Sequence, residues 1–268
     1  MNEQEIGLDD PTIKVQAPVV SRSTRIGKKL YIQVFKRLFD IVLSSLSIVV
    51  LSPVLAVIAL LVRIKLGTPV IFKQIRPGKK DSYGQERLFT LYKFRSMTSE
   101  RDENGELLSD ARRLTRFGER LRNMSLDELP ELINIFKGDM SIIGPRPLLV
   151  QDMVFMTEEQ RRRHNVKPGL SGWAQVNGRN VIEWEDKLDY DLQYLSKMGF
   201  TLDVRITLIT IKKVLKTESI TYEGMATAED FGDYLLRTGK IERKEYDQKQ
   251  DEAKKLIGAK KKWKNIAY

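Results

Sequence analysis

Ile41 to Val62 reads IVLSSLSIVVLSPVLAVIALLV, an uncharged run about as long as the roughly 20 apolar residues a membrane helix needs. Its middle carries Ser52-Pro53. Proline lacks an amide hydrogen and its ring clashes with the carbonyl four residues back, at Val49, so a kink is predicted there. Lys28, Lys29, Lys36 and Arg37 precede the run, and Arg63 and Lys65 follow it. Basic flanks favour the cytoplasmic side, which places both ends on one face. A straight span cannot satisfy that. A helix that enters, turns at Ser52-Pro53 and leaves by the same face can, with arms of roughly 12 residues and about 18 Å of reach. The Ser52 hydroxyl or water would satisfy the carbonyls freed at the break. A kinked but spanning helix, and a buried helix of a soluble core, are the competing readings. The polar, charged leader before the run and the missing cleavage pattern after it set it apart from a secretory signal.

Around this run stands a chain of 268 residues with 41% hydrophobic content, enough for one substantial core. Its formal net charge of +10 points to anionic partners: nucleic acid, acidic headgroups or phosphorylated small molecules. With no cysteine, disulfide scaffolds, thiolate zinc sites and cysteine nucleophiles are excluded, and a single histidine, His164, removes most imidazole chemistry. Neither a Walker sequence nor a dinucleotide fingerprint is present. Catalysis is left to carboxylates, cations, hydroxyls or a metal.

Residues 1 to 30 read as a polar leader. Downstream of the apolar run, Pro69 to Ile75 and Arg87 to Phe94 are rich in β-formers and separated by Pro77-Gly78 and Gly84, which predicts a hairpin. From Asp110 the pattern turns helical, with Leu114, Phe117, Leu121 and Met124 on one stripe and arginines elsewhere, as in a helix lying at a membrane interface. Ser125-Leu126-Asp127-Glu128-Leu129-Pro130-Glu131-Leu132 follows. Ser125 and Glu128 match a capping box, Pro130 suits a first turn, and Gly138 is a helix stop, so the adjacent acids fall at a helix N-terminus. Gly144-Pro145-Arg146-Pro147 predicts an extended segment presenting one arginine. Residues 161 to 179 read as a glycine-punctuated basic loop, with Trp173 packed in the loop and His164 at the surface. Leu188 to Tyr194 and Leu202 to Leu215 are predicted helices, the second capped by Asp203, and the charged tail from about 217 is read as solvated.

An adjacent Asp-Glu pair is usually a cap or a dipole partner. Here it lies between a basic helix and a constrained arginine. An aspartate with an ordinary pKa of about 3.9 is ionised at neutral pH and attacks phosphorus without a general base. Such an attack on an anionic diphosphate needs cations, and magnesium suits one or two carboxylates combined with substrate phosphates, which makes Glu128 its candidate ligand.

KRLFDI, Ser52-Pro53, FKQIRPG, KFRSM, SLDELPEL, GDMSIIGPRP, VKPGLSGWAQVNGR and LDVRI, in this order between about Lys36 and Thr217, resemble the monotopic polyprenyl-phosphate phosphoglycosyl transferases, the bacterial sugar transferases. The resemblance implies an α+β, mainly α fold. It has a re-entrant helix broken at Ser52-Pro53, a small β-hairpin and amphipathic interfacial helices around one catalytic core. It implies Asp127 as nucleophile, a covalent phospho-sugar aspartate, UMP release from a UDP-sugar, and Glu128 at Mg2+. Undecaprenyl phosphate would be the acceptor, and the bacterial inner membrane, on its cytoplasmic face, the location. Matching motifs make Lys93, Arg95, Arg120, Arg122 and Arg146 candidate phosphate binders, with Asp191 an acidic position of the same site.

The implied division is a leader (1–30), a membrane helix (31–66), a catalytic domain (67–217) and a charged extension (218–268), with no large membrane domain before the core. Anionic lipids are expected partners, nucleic acid is not, and self-association stays open. GTPVIF departs from the serine-glycine-proline run common in the family. The rival from another class is a membrane-tethered polyanion-binding protein without catalysis, which the 8% aromatic content and the absence of a nucleic-acid module disfavour.

Overall fold

The computed structural model describes residues 31–178, 183–215 and 229–266, so the leader and Arg179 lie outside the described residues. The apolar run lies within one long helix, α1 (Lys36–Leu66), which continues through Pro53 and stops at Gly67, whose φ of 80° suits glycine and whose N–H bonds Arg63 O at 3.2 Å. The Ser52 hydroxyl donates to Val49 O at 2.8 Å, the carbonyl that Pro53 leaves without an amide partner. One stripe of α1 faces the protein along its whole length: Asp40, Ser44, Ile48, Leu51, Leu55, Ile58 and Val62, at spacings of three and four. The opposite stripe, including Leu46, Val49, Val57, Leu60 and Ile64, is exposed and apolar. A buried soluble-core helix would not leave it so.

The predicted hairpin forms from β1 (Ile71–Lys80) and β2 (Glu86–Phe94), antiparallel with Ile71 opposite Phe94 and a bulge between Pro77 and Lys80. Period-two alternation gives the ribbon two working faces. Phe89 and Leu91 pack with Ile48 and Leu51 of α1 and with Leu132, Ile135 and Met140, while Ile75 and Leu88 face a different cluster.

The basic helix predicted from Asp110 is divided into α2 (Asp110–Arg113) and α3 (Arg116–Asn123). Leu114 is extended there and bridges Met97, and Thr115 starts α3 by accepting from Gly118 N at 3.1 Å. Gly118 is required by contact, since a Cβ there would lie 1.7 Å from Ser96 O.

A single 3-10 turn over Leu126–Glu128 leads into α4 (Glu131–Lys137), with Pro130 at its N-cap and Gly138 ending it at φ 92°. The capping box does not form: Ser125 sits in the left-handed region at φ 55° and makes no cap bond. Asn134 of α4 covers the free edge of β2, accepting from Tyr92 N at 3.0 Å and donating to Thr90 O at 2.7 Å.

β3 (Ser141–Ile143) precedes the Gly-Pro-Arg-Pro segment and α5 (Val150–Met153) follows it. The stretch read as a basic loop holds a 3-10 segment over Gln160–Asn165, the strand β4 (Gly169–Ser171) parallel to β3, and α6 (Trp173–Asn177). Gly169 and Gly144 of the Gly-Pro-Arg-Pro segment let backbones touch; a Cβ on Gly144 would lie 2.5 Å from Lys167 O, and one on Gly169 2.1 Å from Gly144 N. Then come α7 (Trp184–Lys197) and α8 (Phe200–Leu215). Asp203 anchors rather than caps: it accepts from Tyr31 at 2.7 Å, Tyr194 at 2.8 Å and Lys36 at 2.5 Å, tying the start of α1 to α7 and α8. Phe200, Val204, Leu208 and Ile211 leave an exposed apolar stripe on α8, which Phe200 joins to α1 by stacking on Phe39 at 6.0 Å.

Within its described residues the extension is not a solvated tail. Its described part forms α9 (Phe231–Arg237) and α10 (Arg243–Ile266). Phe231 and Tyr234 pack with Leu148, Met156, Trp184 and Leu188, and Ala253 and Ile257 pack on Val150, Met153, Ile75 and Leu88. The apolar positions behind this docking are sparse, because charged residues fill the rest of α10, and that hid it in the sequence. The ribbon is thus held between α1 and α4 on one face and α5 and α10 on the other.

Candidate active site

Leu126 and Leu129 pack with Phe94, Leu121 and Val62, which turns the two intervening acids away from that cluster. Glu128 accepts from Lys93 Nζ at 2.8 Å and from Arg146, with Nη2 at 2.5 Å from Oε1 and Nη1 at 3.4 Å from Oε2. Lys93 also pairs with Glu131 at 3.2 Å. Three acids and the cations Lys93, Arg122 and Arg146 therefore share one site at the start of α4, the cations from β2, α3 and the Gly-Pro-Arg-Pro segment.

Burial raises the Asp127 carboxyl to about 6, and neighbouring Glu128 adds to the rise, against the pull of Lys93, Arg122 and Arg146. Its pKa therefore departs from the ordinary value on which the sequence reading relied. The site still keeps it mostly ionised above pH 7. Glu128 resists its own desolvation: Arg146 and Lys93 hold it well below the usual carboxylate range. Glu131 is pushed up to about 7, first by burial and also by Glu128. The three acids thus differ in proton affinity, and Glu128 is the one fixed as an anion.

Arg146 is held in place through its own backbone. Arg163, fully buried, donates Nη2 to Arg146 O at 2.7 Å, and Arg76 donates Nη1 to Pro147 O at 3.1 Å. Asp191 accepts from Arg163 Nε at 2.9 Å and Nη2 at 2.6 Å. Asp191, expected from the sequence at the phosphate-binding site, supports Arg146 from behind through Arg163. The Arg95 guanidinium is taken up by Met97 O at 2.8 Å, Thr68 O at 2.6 Å and Ser99 Oγ at 2.6 Å, bracing the end of β2. Arg122 donates to Ser96 Oγ at 2.9 Å and its charge reaches Asp127, whereas Arg120 lies exposed on α3.

His164 is buried, not at the surface, with Nδ1 3.2 Å from Glu86, and its pKa is lowered to about 4, mainly by burial. Trp173 packs with Ile143, Tyr194 and Ile206, and Arg205 lies 5.7 Å over its ring, in keeping with a packing role. Sequence reasoning missed Glu131, Arg163 and Arg76. Glu131 stands four residues after Asp127, one helical turn on, which was a usable signal. Nothing in Arg161-Arg162-Arg163 marks the third as the buried one.

Breaking the Asp191–Arg163 pair is expected to be costly because both side chains are only 2% exposed. Asp191→Ala should lower unfolding stability by about 3 kcal/mol. Denaturant titration checks this, and a loss below about 1 kcal/mol would contradict the bracing role.

An adjacent carboxylate pair with one member clamped by lysine and arginine, on a domain whose long helix exposes an apolar face, defines a charged enzyme site suited to anionic ligands. Residues 31–217 match the family model described as bacterial sugar transferase, and the chain belongs to that family. It is 48% identical over 198 residues to the uncharacterized sugar transferase EpsL of Bacillus subtilis, covering 74% of this chain and 96% of that one. It is 38% identical over 194 residues to the UDP-glucose:undecaprenyl-phosphate glucose-1-phosphate transferase of Escherichia coli, covering 68% and 40%. Against the UDP-N-acetylgalactosamine-undecaprenyl-phosphate N-acetylgalactosaminephosphotransferase of Aeromonas hydrophila it is 37% identical over 191 residues, covering 67% and 43%. The chain thus spans less than half the length of these last two relatives.

Proposed function

We propose that this enzyme transfers a sugar-1-phosphate from a UDP-sugar to undecaprenyl phosphate at the cytoplasmic face of the bacterial inner membrane, priming synthesis of a surface polysaccharide or glycoconjugate. The observation that carries the proposal is the ionisable Asp127 beside a Glu128 locked by Lys93 and Arg146. In the first step an Asp127 oxygen attacks the phosphorus bonded to the sugar. The bond from that phosphorus to the UMP oxygen breaks, and UMP leaves with the electron pair. In the second, an oxygen of the lipid phosphate attacks the same phosphorus and frees Asp127, leaving a sugar diphospholipid. Neither nucleophile needs a base, because each is already an anion. Lys93, Arg122 and Arg146 lower the repulsion between these anions and the diphosphate.

Among the described residues no three His, Cys, Asp or Glu side chains cluster as a metal cage. Adjacent carboxylates with substrate phosphates nevertheless fit Mg2+, which binds through one or two carboxylates and phosphate oxygens. Glu128, with Asp127 beside it, would hold the ion, and bound Mg2+ would neutralise charge on the diphosphate.

The seating of α1 supports the membrane reading. With one face packed against the domain from Asp40 to Val62, the helix cannot project from it as a free span. Setting the helix upright would carry the charged domain into hydrocarbon. A helix lying within one leaflet, its outward stripe and that of α8 in contact with lipid, avoids this cost.

UMP release from a panel of UDP-sugars with Mg2+ and undecaprenyl phosphate tests the proposal; a protein that bound these anions without turnover would release none. The activity also has an expected pH profile. Because Asp127 must be ionised and burial lifts its pKa to about 6, kcat/KM should rise with pH through about 6 and level off above 7. A rate that stays flat down to pH 5 would contradict a raised Asp127 pKa in the working enzyme.

A further inference from the structure

The end of α4 opposite the acid pair carries cations that the chemistry at Asp127 does not use. A cavity of about 180 Å3 lies there between the hairpin tip and the loop after α4, lined by Lys79, Lys80, Arg87, Asp139 and Lys167 among others. Arg37 stands at its rim: a Cβ built on Gly138 would lie 3.1 Å from Arg37 Nη2 and 3.4 Å from Lys167 Nζ, so two cations converge on one point.

The cluster is poorly neutralised. Arg37 spends its hydrogen bonds on carbonyls, Ile135 O at 2.7 Å and Phe136 O at 2.8 Å. Lys80 reaches Glu86 at 3.9 Å and Glu158 at 4.0 Å. Among the described residues no ion pair within 4.0 Å engages Arg37, Lys79, Arg87 or Lys167. Of the two acids that line the cavity, Asp139 acts on Lys167 without an ion pair within 4.0 Å, and Asp81 is turned to backbone. Asp81 Oδ1 accepts from Tyr83 N at 2.8 Å and Gln85 N at 3.1 Å, and Asp139 accepts from Asn134 Nδ2 at 3.4 Å. Burial lowers the pKa of Lys167, and Arg37 and Lys79 push it the same way, against the pull of Asp40 and Asp139.

We infer that this cavity is a second anion site, which holds the phosphate of a bilayer phospholipid headgroup. Its position favours lipid over a free anion. Arg37 belongs to the first turn of α1, and its neighbours Leu38 and Phe39, with Phe136 of α4, are exposed apolar side chains. A lipid whose acyl chains lie on that surface brings its phosphate to the level of Arg37. The seven residues of α4, about 10 Å of helix, separate this site from Asp127. The inference rests on the reading that α1 lies in the bilayer.

The test uses the full chain in nanodiscs of phosphatidylcholine, alone or mixed with phosphatidylglycerol, and counts retained lipid by native mass spectrometry. The wild-type protein should keep phosphatidylglycerol over phosphatidylcholine by at least about tenfold. The exposed pair Lys79→Glu with Arg87→Glu, and separately Lys167→Met from the other wall, should bring the ratio near one. UMP release in phosphatidylcholine should stay unchanged in the Lys79/Arg87 variant. Variants that keep the wild-type preference would overturn the site. Loss of the preference in millimolar inorganic phosphate would overturn the lipid in favour of a free anion. A wild-type protein that enters neither kind of nanodisc would instead refute the membrane seating, a separate result.

Discussion

Asp127→Asn should lower UMP release by about three to four orders of magnitude and leave the fold intact. The amide keeps the shape of the side chain but offers no anion to phosphorus. In the wild-type site the buried charge of Asp127 is disfavoured, which is why its pKa is raised. A neutral amide removes that cost, so the melting temperature should not fall. Activity and stability are thereby expected to separate, which a structural role for Asp127 would not permit. Rapid quench of the wild-type enzyme with a radiolabelled UDP-sugar should trap label on the protein, and the variant should trap none. Label trapped on the variant, or wild-type turnover without a covalent adduct, would point to direct transfer between the two substrates.

The second large effect concerns Arg146. Its two nitrogens approach both oxygens of Glu128, at 2.5 and 3.4 Å, a fork that lysine cannot reproduce. Arg146→Ala should cut kcat/KM by about 100- to 1,000-fold, in the range found when one electrostatic contact to a transition state is removed. Arg146→Lys should recover only part of this. Arg146 also lowers the pKa of Asp127, so its loss should move the acid limb of the pH profile to higher pH. A lower rate with an unmoved limb would place Arg146 in substrate binding alone. A rate within threefold of the wild-type enzyme would remove it from the site.

The elements that position the chemistry were legible where a local signal matched a local cause. The apolar run, the hairpin and the acid pair before α4 each follow from spacing or from one residue's geometry, whereas the helix continues through Pro53. Ser52 even meets Val49 O as expected. What stayed hidden depends on distant partners. Arg95 and Arg122 both follow β2 closely in space, yet the first braces backbone and the second reaches Asp127. Only the fold decides which arginine of 161–163 is buried against Asp191. Burial also altered the chemistry itself, since the ordinary pKa of aspartate gave no sign of a value near 6 at Asp127. The docking of α10 was obscured because Ala253 and Ile257 are its main inward positions in a highly charged helix.

The seating of α1 sets a limit on where the product ends up. Its first turns are fixed to β3 and α8 through Asp40 and Lys36, and its last turns to β2 and α3 through Ile58 and Val62. In the proposed seating within one leaflet, a rod pinned at both ends to one body has no end left to reach the trans side. On the proposed chemistry, the glycolipid is therefore released into the monolayer that supplied its carrier. Any assembly on the outer surface then depends on a distinct translocation step, performed by another machine that moves a bulky polar head through hydrocarbon.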